Sequence, residues 1–150
     1  MSSVEMPRKD VPPPLELVKS RIEEVLPPEA KSEVEAGAVA LIDTRPAEQF
    51  ALGRIAGAAN VPAGENGVES HSPEFAQRVS EAAGEKPVLL YCNSGNRSAR
   101  AADALLNEHG EPGVRSIVGG IKLWDDLGFP VEGTVASEDD ETSNDEDGEG

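Results

Sequence analysis

At 150 residues the chain has room for one domain with a single core plus tails. Its formal charge of −16 disfavours a broad basic face for nucleic acid or anionic membrane, and no run nears the ~20 apolar residues of a membrane span. One cysteine rules out an intrachain disulfide framework and a cysteine-based zinc site, so the expectation is a soluble cytoplasmic protein without metal or cofactor.

The charge is uneven. Ser137 to Gly150 carries eight of the 29 acids and no base, which leaves 21 acids against 13 bases in the rest. Only five of the bases are lysine. An acidic, lysine-poor, Ala/Gly/Val-rich chain suits a salt-rich cytoplasm, where screening removes self-repulsion; an ordinary acidic protein with an acidic tail is the plainer alternative.

In chain order, residues 1–22 read as a flexible N-terminal arm. Four prolines (Pro7, Pro12, Pro13, Pro14) keep its first part loose, and a short helix is possible from Leu15 to Ile22, with Leu15, Val18 and Ile22 on one face. The domain proper is expected at 23–135. Glu23–Leu26 reads as a brief strand. Pro27–Gly37 has helix punctuation, with proline and acids at the start and glycine at the stop. Ala38–Ile42 is an apolar run, the signature of a strand buried on both faces. Asp43-Thr44-Arg45-Pro46 is a polar break at its C-terminal end. A short helix, Ala47–Leu52, leads to a glycine-rich turn at Gly53–Ala58 and a short strand, Ala59–Pro62. Residues 63–73 read as surface loop. A helix opens at Ser72 or Pro73 and runs to about Ala83, with Phe75 and Val79 inward. Val88–Tyr91 is the central strand, Ser98 to about His109 a helix, Val114–Val118 a strand, and Ile121–Leu127 a last helix carrying Trp124. Residues 136–150 should be a disordered acidic tail. Short apolar strands alternating with helices predict an α/β fold, a five-stranded and mostly parallel sheet with helices on both faces.

The chemistry concentrates in Cys92-Asn93-Ser94-Gly95-Asn96-Arg97-Ser98. This polar turn joins a buried strand to a helix start. A helix N-terminus and a nearby guanidinium stabilise a thiolate over a thiol, and unpaired N–H groups of a glycine-containing loop cradle an anion. Functional sites of parallel sheets lie beyond the strands' carboxyl ends, so Asp43-Thr44-Arg45 and the Cys92 loop belong to one edge. Other features have plainer readings. A lone cysteine is often a small buried hydrophobe, but the loop context favours a reactive one. His71 and His109 read as surface residues, Asp125-Asp126 as a solvated helix face, Glu138–Glu141 as solvating tail, and Trp124 as core.

Several motifs in order resemble single-domain rhodaneses, the rhodanese-like sulfurtransferase family. They are Leu41-Ile42-Asp43-Thr44-Arg45, Glu48-Gln49-Phe50, the run from Gly53 to Pro62, Val88 to Ser98, and Val118-Gly119-Gly120-Ile121-Lys122-Leu123-Trp124. One departure is at the glycine turn, where the family's His and Ile-Pro positions hold Arg54 and Ala56. The resemblance implies that a Cys92 thiolate takes sulfur from a thiosulfate-like anion, releases sulfite and carries a persulfide. It implies Asn93, Ser94, Gly95, Asn96, Arg97 and Ser98 as the substrate cradle. Arg97 either holds the donor's anionic end or pairs with Asp43, and Asp43 and Arg45 brace the loop. Ser98 is expected as the helix N-cap.

Cys92 to Arg97 spans six residues, one fewer than the loop of cysteine-dependent phosphatases on this fold, which favours sulfur over phosphate. Three functional classes follow: an active sulfurtransferase, a rhodanese-fold binding or regulatory module, and a phosphatase or arsenate-reductase-like enzyme. The intact nucleophile favours the first. With no second thiol in the chain, the acceptor is expected to be external: a small thiol, thioredoxin or a sulfur-relay protein.

Overall fold

Val88–Tyr91 (β5) is the middle strand of a five-stranded sheet in the computed structural model, which describes residues 13–135. The strand order is β1 (Glu23–Val25), β6 (Arg115–Ile117), β5, β2 (Ala40–Asp43) and β4 (Ala59–Asn60), and every pairing is parallel. The central strands are apolar throughout because both faces are covered. Alternate side chains feed two cores. Ile42, Val88 and Leu90 pack with Phe75, Val79, Ala102 and Leu105 on one face, while Leu41, Leu89 and Tyr91 pack with Ala30, Ile121 and Trp124 on the other.

The helices that supply these residues are α2 (Pro27–Glu35), α4 (Pro73–Ala83), α5 (Asn96–Asn107) and α6 (Gly120–Asp126). Ser72 caps α4 by accepting the Phe75 N–H at 3.1 Å, with Pro73 in the first turn. Trp124 is 2% exposed, meets the Phe129 ring edge-on at 5.3 Å and donates to the Pro130 carbonyl at 2.8 Å, as a core tryptophan should.

The short helix possible at Leu15–Ile22 forms as α1 (Leu15–Ser20), docked on α5: Val18 is buried, Arg21 forms a two-pronged ion pair with Asp103 at 3.1 and 2.7 Å, and Arg100 donates to the Pro13 carbonyl at 2.7 Å. The rest of the arm, residues 1–12, and the acidic tail, 136–150, lie outside the described residues.

The glycine-rich stretch after α3 (Ala47–Leu52) begins as a strand, β3 (Gly53–Ile55), paired antiparallel with β7 (Val131–Gly133). Gly53 is extended, and a Cβ there would sit 2.2 Å from the Thr134 carbonyl oxygen. Glycine serves close approach at this position, not turning. Arg54 belongs to this pair. It donates to the Phe50 carbonyl at 3.0 Å, lies 5.2 Å above the Phe50 ring and pairs with Glu132 at 3.3 Å.

The expected surface loop contains a 3-10 segment, Glu65–His71, with Gly67 and Ser70 buried against α5. The two histidines are its clasps. The His71 ring nitrogen Nδ1 lies 2.7 Å from a Glu108 carboxylate oxygen, and His109 Nε2 lies 3.0 Å from the Ser70 carbonyl oxygen. Among the described residues, no helix is long and apolar enough to cross a membrane.

Candidate active site

Asp43 and Tyr91 are register partners at the C-terminal ends of β2 and β5, so the two polar breaks do share one edge. The link between them is dense. Thr44 donates both its backbone N–H and its hydroxyl to the Tyr91 carbonyl, each at 2.9 Å. The Tyr91 hydroxyl oxygen accepts the Ile55 N–H at 3.0 Å. Burial, and then the Asp43 carboxylate, push the Tyr91 phenol well above its ordinary range, so it stays neutral.

Asp43 is fully buried and Arg45 is 2% exposed. Asp43 Oδ1 accepts the Arg45 backbone N–H at 2.8 Å, and the carboxylate takes Arg45 Nη2 at 2.7 Å. Arg45 Nη2 also reaches the Gly53 carbonyl at 2.5 Å, which ties β3 to the bend. Burial alone would lower the Arg45 pKa; the hydrogen bonds and charge of Asp43 outweigh it and leave the guanidinium's pKa raised. Asn60 completes the bend by donating to the Asp43 and Arg45 carbonyls at 3.0 and 2.9 Å. Asp43 therefore pairs with Arg45, and the Asp43–Arg97 brace does not form.

Cys92 follows directly. It is 2% exposed, and its Sγ accepts the N–H groups of Gly95 at 3.1 Å and Ser98 at 3.3 Å. The Ser98 donor is one of the orphan amides of the first turn of α5. That helix starts at Asn96 with Gly95 at the N-cap, two residues before the expected start, because Gly95 takes a left-handed conformation with φ 98°. Ser98 is thus not the cap. Its side chain is buried, 2.8 Å from the Ser116 hydroxyl. Asn93 and Asn96 are half-buried and Ser94 is exposed. Arg97 is half-buried and borders a cavity of about 470 Å³.

A second helix start holds the loop from behind. The Cys92 carbonyl accepts the Ile121 N–H at 2.9 Å, and the Asn93 carbonyl accepts the Lys122 N–H at 3.1 Å. The expected Gly119-Gly120 break makes this possible. A Cβ on Gly120 would lie 2.4 Å from the Cys92 carbonyl oxygen and 2.5 Å from that of Asn93, and Gly120 has φ 61°. Gly120→Ala is expected to displace the Cys92 loop and cost about 1–3 kcal/mol, read as a fall in the urea midpoint; an unchanged midpoint refutes this packing role. Reading by motif did not assign Thr44, Tyr91, Asn60 or Ser116 to the site. Their signal was positional, since each lies at or beside a strand's C-terminal end. Among the described residues, no three His, Cys, Asp or Glu side chains converge as a metal site would.

The buried Cys92 sulfur thus lies between two amides at the sheet's carboxyl edge. Residues 26–127 match the rhodanese-like domain family. The chain belongs to that family. A thiosulfate sulfurtransferase of Arabidopsis thaliana chloroplasts is 38% identical over 93 residues, covering 60% of this chain and 77% of the relative. The adenylyltransferase and sulfurtransferase MOCS3 of Drosophila persimilis is 32% identical over 94 residues, which is 61% of this chain but only 20% of that much longer protein. Among solved structures, a Rhodopseudomonas palustris protein described as a possible tyrosine phosphatase superposes with a TM-score of 0.66 at 28% identity, covering 85% of this chain and all of that one. The Pseudomonas aeruginosa thiosulfate sulfurtransferase, at 22% identity and a TM-score of 0.67, shares the fold over 83% of this chain and 24% of its own. The rhodanese-like assignment and the sulfurtransferase relatives support sulfurtransferase activity as the general class.

Proposed function

We propose that Cys92 is the nucleophile of a sulfurtransferase that works through a persulfide, with a thiosulfate-like anion as donor. The reading is carried by the two N–H groups on Sγ, which favour negative charge on sulfur and cost nothing to orient at the moment of reaction. Sγ attacks the donor's outer sulfur. A new sulfur–sulfur bond forms, the donor's own sulfur–sulfur bond breaks, and sulfite leaves with the electron pair. The outer sulfur then passes to an external acceptor, because the chain has no second thiol to resolve the persulfide. Near-complete burial of Cys92 suits a donor that presents one projecting sulfur atom. Arg97, free of Asp43, is the loop's cation for the donor's anionic end.

Intact-mass spectrometry tests this reading. Thiosulfate is expected to add one sulfur to the protein, and cyanide to remove it. A protein that gains no sulfur but hydrolyses a phosphatase substrate belongs instead with the reading attached to the Rhodopseudomonas relative.

A further inference from the structure

On the sheet face that α5 covers, β5 and β2 present Leu90 and Ile42, whereas β6 presents Ser116, the register partner of Leu90 and 0% exposed. A buried hydroxyl costs stability unless it is hydrogen-bonded. The Ser98 hydroxyl is buried opposite it. Among the described residues, each of these two hydroxyls hydrogen-bonds only to the other, at 2.8 Å. Ser98 is also the residue whose N–H meets Sγ at 3.3 Å.

The first turn of α5 lacks the usual means of fixing its amides. Its N-cap is Gly95, and no side chain accepts a first-turn N–H there, unlike at α4, where Ser72 does. The hold comes from the side instead, from the strand beneath. That strand lies close under the loop: a Cβ on Gly95 would sit 3.3 Å from the carbonyl oxygen of Ile117, the residue after Ser116. We infer that Ser116 is a positioning residue for the sulfur: by gripping the Ser98 hydroxyl it keeps the Ser98 N–H aimed at Sγ. Ser116 itself makes no hydrogen bond to the sulfur. An amide favours the thiolate only while it stays in line, so a first turn free to tilt leaves the thiol protonated to higher pH. The inference rests on Cys92 as the reacting thiol, as the persulfide reading above does.

The experiment follows the ultraviolet absorbance of the thiolate against pH in the full chain. There is one cysteine, so subtracting the Cys92→Ser protein leaves the signal of Cys92 alone. Ser116→Ala and Ser98→Ala are each expected to raise the midpoint by about one pH unit, the size of a weakened hydrogen bond to a charged sulfur. The charged residues of the loop and its neighbours, Arg97, Lys122 on α6 and the Asp43–Arg45 pair at the end of β2, are the same in every variant, so the shift reports the amide. Each single variant strands one buried hydroxyl and should melt earlier. The double variant strands none and should regain much of that stability. A merely structural pair would regain the midpoint as well, whereas a positioning pair leaves the double variant shifted as far as either single one and no further. An unmoved midpoint in Ser116→Ala, or a midpoint restored in the double variant, overturns the inference. Where a single variant does not fold, the double variant measured against the unaltered protein decides. Thiosulfate is then added to the unaltered protein. Shifted midpoints with no gain of sulfur remove the persulfide reading and leave Ser116 in its role; a gain of sulfur with unmoved midpoints does the reverse.

Discussion

Cys92→Ser is expected to reduce thiosulfate:cyanide sulfur transfer to background, a loss of at least about a thousandfold. The reason is stoichiometric as well as kinetic. A persulfide is a sulfur–sulfur bond, and without Sγ the chain holds no other cysteine to form one. The fold should survive. Sγ accepts two backbone N–H groups, and a serine oxygen can accept the same two, so no buried donor is left orphaned. A melting temperature near that of the unaltered protein, together with lost activity and no sulfur uptake by mass, is the expected combination. Activity equal to that of the unaltered protein rejects Cys92 as the nucleophile. A variant that unfolds would instead show that the thiol is a packing residue, the reading a lone buried cysteine otherwise invites.

The parts of the fold that could be read from sequence are those whose cause is local. Val88–Tyr91 and Leu41–Ile42 announce themselves as strands because burial on both faces removes polar residues from them. The Cys92 loop announces itself because a small polar turn between strand and helix has few structural reasons to carry a cysteine. What escaped depends on partners remote in sequence. β3 is a strand only because β7 pairs with it across more than seventy residues, and Gly53, needed for that approach, mimics a turn residue. The 3-10 segment looked like exposed loop because its burial is against α5, through Gly67 and Ser70, residues that carry no hydrophobic signal. The two roles open to Arg97 could not be separated either, since a sequence does not orient a side chain. The answer lay with its competitor. Asp43 accepts the N–H of the residue two positions on, a local turn that aspartate favours, and this sets the Arg45 guanidinium against the same carboxylate.

That pair carries the second large effect. Asp43→Ala is expected to cost about 3–5 kcal/mol, a large share of the ~5–15 kcal/mol that holds an ordinary domain folded. The loss is not the strength of one ion pair. Removing the carboxylate leaves Arg45, 2% exposed, charged with the Gly53 carbonyl and the face of the Tyr91 ring in place of a counter-ion, and it frees the Arg45 backbone N–H as well. Arg45→Ala should be similarly harmful, because it strands a fully buried carboxylate. The double variant should lose much less than the sum of the two, since neither charge is then left alone. Urea unfolding of the four proteins gives this cycle directly, and additive losses would rule out the coupling. Activity should fall along with stability in the single variants. Asp43 is the register partner of Tyr91, and Thr44 fixes the Tyr91 carbonyl one residue before Cys92, so a shifted bend moves Cys92 relative to the Gly95 and Ser98 amides. The buried pair and the sulfur cradle thus stand or fall together, although Asp43 and Arg45 make no hydrogen bond to the sulfur.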